Sequence, residues 1–81
     1  MDKTEASKVI QLFKNGKTIT RSNYHEGSRE KISYDPEKEI FVQHIEYAYD
    51  CSDFNKFMNE KEFYNQVLKF GKYEDFINEL E

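Results

Sequence analysis

Two short polar segments, "HEGS" (25–28) and "DPEK" (35–38), divide the middle of this chain into three runs of strand composition. These are "KTITRSNY" (17–24), "REKISY" (29–34) and "EIFVQHIEYAY" (39–49). The runs are rich in β-branched and aromatic residues, and the separators carry turn residues, with Asp35-Pro36 the stronger signal. Closing the second hairpin on 35–38 sets Tyr34 opposite Glu39 and Ile32 opposite Phe41. Closing the first on 25–28 sets Tyr24 opposite Arg29, Arg21 opposite Ile32 and Ile19 opposite Tyr34. Side chains alternate between the faces of a strand, so these pairings sort the whole sheet. One face collects Ile19, Ile32, Tyr34, Phe41, Ile45 and Tyr47. The other collects Thr18, Thr20, Ser22, Lys31, Ser33, His44 and Glu46, with Ile40 and Val42 as exceptions. Two turns chosen separately give one apolar face, which predicts a three-stranded antiparallel meander.

Helical periods flank the meander. Ala6, Val9, Ile10 and Phe13 fall at i, i+3, i+4 and i+7 and predict a helix over about residues 3–14, ended by Gly16. After Asp50, Phe54, Phe57 and Met58 read as a short turn or helix. Phe63, Val67 and Phe70 read as a longer helix that Gly71 ends, and Tyr73, Phe76, Ile77 and Leu80 as a last short one. The expected fold is therefore a single α+β domain over residues 1–81, in the order α-β-β-β-α-α. An N-terminal helix and two to three C-terminal helices cover one face of the sheet.

The helix starts explain many of the acids. Ser52 and Asn59 are good N-caps, Asn59 with Glu62 approximates a capping box, and Asp53 and Glu60 are placed in first turns. Seven Phe and six Tyr supply large buried area to a chain of 81 residues, near the lower limit for a core without staples. The phenylalanines are assigned to that core. Cys51 is the only cysteine, so no intrachain disulfide forms, in keeping with a reducing compartment; it reads as a small hydrophobe ending a strand. No apolar run reaches the ~20 residues of a membrane helix, and "MDKTEASKVIQ" lacks the apolar core of a signal peptide. The expected location is the cytoplasm, the bacterial host's if the chain is phage-encoded.

Several kinds of chemistry lack their residues. A zinc site needs three or four ligands at characteristic spacing, and Cys51 with scattered His25 and His44 does not provide them. Cys51 and His44 as nucleophile and base lack a glycine-rich turn for an oxyanion. Gly16, Gly27 and Gly71 each sit at an element end, not in a phosphate-binding loop. The expectation is a protein that is not an enzyme, with no cofactor and no metal. Charge is the more informative feature. Residues 1–34 hold seven Lys/Arg and four Asp/Glu, and residues 35–81 hold five and twelve, which sum to the net −4. Such an acidic chain is a poor general DNA binder, and the asymmetry points to a basic partner or to nothing beyond solubility. The candidate contacts are Asp50, Asp53, Glu60 and Glu62, with Glu37 and Glu39 at a hairpin tip.

"EKEFYNQV" contains Glu62-Phe63-Tyr64-Asn65 at the opening of an aromatic C-terminal helix. With the α-β-β-β-α-α order and the acidic balance, it resembles small phage-encoded anti-CRISPR proteins of the Cas9-blocking kind. The resemblance implies a DNA mimic: an acidic surface that occupies the site where DNA enters a CRISPR effector. The expected function is a non-enzymatic inhibitor of a larger nucleic-acid-handling defence protein. Immunity proteins and antitoxins share the same size and charge. The alternative is a small nucleic-acid-binding or regulatory module that uses Tyr24, Arg29 and Lys31 on the polar sheet face. A third reading is a structural component whose exposed patch makes a homodimer.

Overall fold

The computed structural model describes residues 1–49 and 52–81, so the expectations placed on Asp50 and Cys51 lie outside the described residues. The element order is α1 (Lys3–Lys14), β1 (Ile19–Asn23), β2 (Ser28–Asp35), β3 (Ile40–Tyr47), β4 (Ser52–Met58), α2 (Glu60–Leu68) and α3 (Tyr73–Glu79). The class is α+β, as expected, but the sheet has four antiparallel strands in the order β1-β2-β3-β4 where three were expected.

Helix α1 begins with a reciprocal capping box: Asp2 Oδ1 accepts from the Glu5 N–H at 2.8 Å, and Glu5 Oε1 accepts from the Asp2 N–H at 3.0 Å. It ends in a Schellman motif. The Lys17 N–H reaches the Leu12 carbonyl and the Gly16 N–H the Phe13 carbonyl, both at 3.0 Å, with Gly16 at φ 100°. Its stripe of Ala6, Val9, Ile10 and Phe13 is fully buried, as the spacing predicts.

The two hairpins share one design. Asn23 pairs with Ser28 and Asp35 with Ile40, leaving four-residue loops at 24–27 and 36–39. In each, the side chain of the last strand residue folds over the turn. Asn23 Oδ1 accepts from the His25 and Glu26 N–H groups, and Asp35 Oδ1 from those of Glu37 and Lys38. Each loop closes on a left-handed residue, Gly27 at φ 63° and Glu39 at φ 55°. The expected registers are therefore corrected. Ile19 pairs with Ile32 and Arg21 with Glu30; Tyr34 pairs with Phe41 and Ile32 with Gln43. Each loop lies one residue away from the predicted turn, which moves each pairing by two. A shift of two preserves every side chain's face, so the apolar face survives the correction.

The fourth strand corrects a second expectation. Residues 52–58 were read as a turn or helix with Ser52 as N-cap and Asp53 in its first turn; they are β4, paired with β3 from Tyr47–Ser52 to Phe41–Met58. Strand β3 would otherwise end the sheet, and β4 supplies its ladder partners. Met58 enters the core and the Phe54 ring stacks beside Tyr47 at 6.0 Å. Helices α1, α2 and α3 all lie over one sheet face. Phe13 sits centrally, with ring centroids 5.1 Å from Phe63, 6.1 Å from Phe76 and 6.5 Å from Phe41, while Phe41 and Phe63 stack at 4.4 Å. Arg21 ties α3 to the sheet: its Nε donates to Glu79 Oε2 at 2.7 Å, and its guanidinium lies 4.7 Å above the Phe70 ring.

Candidate functional site

The candidate acids fall into two separate groups. Glu60 and Glu62 occupy the first turn of α2. There Asn59 Oδ1 accepts from the Glu62 N–H at 2.8 Å and Glu62 Oε1 accepts from the Asn59 N–H at 3.3 Å, so the expected capping box is present. Glu60 pairs with Lys14 at the end of α1. The Lys14 ammonium is held above its ordinary pKa, first by that hydrogen bond and then by nearby charge that includes Glu39. Glu37 and Glu39 occupy the β2–β3 loop at the same end of the molecule. Glu37, Glu39, Glu60 and Glu62 are all exposed at this end and make a carboxylate pole, with Lys38 and Lys61 interleaved in sequence and Lys14 paired to Glu60.

Asp53 stands apart. It lies near the far end of β4, opposite Glu46, on the sheet face that carries no helices. Met58, at the pole end of the strand, is five positions further on, so Asp53 sits about 17 Å back along the strand. It belongs to a polar cluster around His44. His44 Nδ1 lies 2.6 Å from Asn55 Oδ1, Nε2 lies 3.1 Å from Glu46 Oε1, and Asp53 Oδ2 is 3.7 Å from Nε2. Carboxylate and amide oxygens only accept, so this arrangement suits an imidazolium with both nitrogens donating. The ring is accordingly held above its ordinary pKa of 6.5, most by Asn55, then by Glu46, against partial desolvation. Asp53 also borders an open depression of about 780 Å³ whose lining includes Tyr24, Arg29, Tyr47 and Tyr49.

The alternative nucleic-acid residues lie closer together, with Tyr24 and Arg29 lining that same depression. Arg29 and Lys31 are exposed neighbours on the helix-free face of β2, whereas Tyr24 is in the β1–β2 loop and 90% exposed. Arg29 pairs across the sheet with Glu46, which places a carboxylate within that basic patch.

Two surface residues were assigned to the core by the sequence. Phe54 and Phe57 are 49% and 58% exposed, and they project from opposite faces of β4. The sequence carries no two-residue alternation here, since Lys56 falls between Phe54 and Met58 on one face and Phe57 joins Asp53 and Asn55 on the other, whereas Phe54, Phe57 and Met58 fit a helical period. The His44–Asn55 contact was unreadable without β4.

Among the described residues, no group of three or more His, Cys, Asp or Glu side chains is arranged to hold a metal ion, and no helix is long and apolar enough to cross a membrane. The fold defines a class, helices on one face of a four-stranded antiparallel meander. Compared with protein-family models, with curated proteins and with solved structures, the chain matches none of them.

Proposed function

We propose that this chain is a non-catalytic inhibitor that sets its carboxylate pole against a basic, nucleic-acid-binding surface of a larger defence protein. The observation that supports the reading is the convergence of Glu37, Glu39, Glu60 and Glu62 at one end, two in the first turn of α2 and two in a hairpin loop that the Asp35 side chain folds over. Carboxylates on a helix start and a short, hydrogen-bonded loop present negative charge and can stand in for phosphates along a Lys/Arg-lined groove. Within the pole, Glu60 is already neutralised by Lys14, so Glu37, Glu39 and Glu62 carry the contact. Asp53 is outside this surface.

The test is DNA cleavage by a guide-loaded Cas9 nuclease, with and without the protein. Inhibition is expected at near-stoichiometric protein and is expected to weaken as salt rises, because screening shortens the reach of exposed charges. Full cleavage in the presence of excess protein would remove the CRISPR effector as the target. Inhibition indifferent to salt would remove charge mimicry as the mode.

A further inference from the structure

The two edges of the sheet are treated differently. At the β1 edge, the C-terminal residues add a short flanking segment. Ile19 bridges Leu80, and Thr18 and Glu81 exchange backbone hydrogen bonds at 3.2 and 2.8 Å. At the other edge, no described strand lies beyond β4, and residues 52–57 are all exposed. An open strand edge is a row of unused backbone donors and acceptors, and proteins that avoid pairing blunt it with charge, proline or a bulge. Strand β4 has seven residues, no proline, one acid and one base, and an exposed Phe on each face.

We propose that the free edge of β4 pairs antiparallel with β4 of a second copy, in the register centred on Phe54, to give one eight-stranded sheet. A twofold axis through a shared sheet pairs side chains of the same face, so its centre must fall on a residue. Three centres bring most of β4 into contact. Centring on Lys56 sets two ammonium groups opposite each other, and centring on Asn55 sets Phe57 opposite the Asp53 carboxylate. Both are unfavourable cross-strand pairs. Centring on Phe54 joins the two Phe54 rings and extends the Tyr47–Phe54 stack, now at 6.0 Å and 25°, to four rings.

The same register sets Asp53 opposite Asn55 of the second copy. Asn55 turns Oδ1 to His44, which directs its Nδ2 away from that ring, and Nδ2 is the atom that donates to the facing carboxylate. Lys56 then meets Ser52, so no like charges are opposed. The overlap spans only residues 52–56, so the interface falls below the ~1,200 Å² of standard complexes and the dimer is weak and reversible. It lies away from the carboxylate pole and does not depend on the inhibitor reading.

Sedimentation equilibrium of the full chain, from micromolar to millimolar, tests the proposal. The average mass is expected to rise from 9.8 kDa towards twice that value. Asn55→Asp keeps an acceptor for His44 but opposes Asp53 twice over, and is expected to weaken association by roughly tenfold. Phe57→Ser changes an exposed residue outside the overlap and is expected to leave association unchanged. Far-UV circular dichroism of each variant accompanies the measurement, to confirm that it is folded. A mass that stays at one chain up to millimolar protein would overturn the proposal. So would a dimer that Phe57→Ser disrupts and Asn55→Asp does not.

Discussion

Gly27 and Glu39 hold equivalent places in the two hairpins, both left-handed and both closing a four-residue loop. Only one of them is a residue suited to that conformation. A side chain in the left-handed region costs about 1 kcal/mol or more, so Glu39→Gly is expected to raise stability by about 1 kcal/mol, less the added chain entropy of glycine. For a domain of this size the net gain is a rise of up to a few degrees in melting temperature. Gly27→Ala is expected to do the opposite, because a Cβ there would run into the Tyr49 ring and would also sit at positive φ. A lower melting temperature for Glu39→Gly would contradict the shared design. Residue-level pH behaviour centres on His44, which faces Asn55 and Asp53 on β4, Glu46 on its own strand and Lys31 on β2. Its folded-state pKa is raised, so the protonated ring's contribution is complete below about pH 6.5 and is lost as pH rises through the higher folded value. Proton NMR is expected to show a His44 midpoint above 6.5 that falls in Asn55→Ala, since Asn55 is the largest cause of the shift. A midpoint unmoved by that change would reject the assigned contact.

Among the elements, α1 and α2 were legible because independent signals agreed: an apolar stripe in each, Gly16 as the stop of α1, and for α2 an N-cap three residues before a glutamate. Asn59→Ala is accordingly expected to cost about 1 kcal/mol through the lost cap, visible as a lower urea midpoint at unchanged slope. An unchanged midpoint would show that the α2 capping box contributes nothing to folding. The hairpins were legible by face but not by register. Asn23 and Asp35 each cap a loop that starts just after them, and a one-residue displacement of either loop leaves the alternation intact. Strand β4 was not legible. Ser52–Met58 has no β-branched residue, and its phenylalanines, three apart, fit a helical period better than a period of two, so only the unmet edge of β3 decides the matter. For the same reason Asp53, expected at a helix start, stands instead in β4 beside the His44 cluster.

For the whole molecule, the consequence is a division of labour among its acids. Asp2, Glu5 and Glu62 cap helices, Glu79 anchors Arg21, and Glu60 is paired with Lys14, while Glu37 and Glu39 project from a loop with no comparable structural duty. The net charge showed an acidic chain but not this sorting, which depends on where the loops and the α2 start meet in space. The measurement that tests the inhibitor account most directly is Cas9 cleavage inhibition by the variant Glu37→Lys/Glu39→Lys/Glu62→Gln, beside its thermal melt. Gln retains the capping box at position 62, so melting is expected to stay within a few degrees of the parent. Inhibition is expected to fall by roughly a hundredfold, because cations would now face cations across the contact. Asp53→Lys serves as the control that should keep full inhibition. A triple variant that inhibits as well as the parent, or a loss confined to Asp53→Lys, would contradict the account.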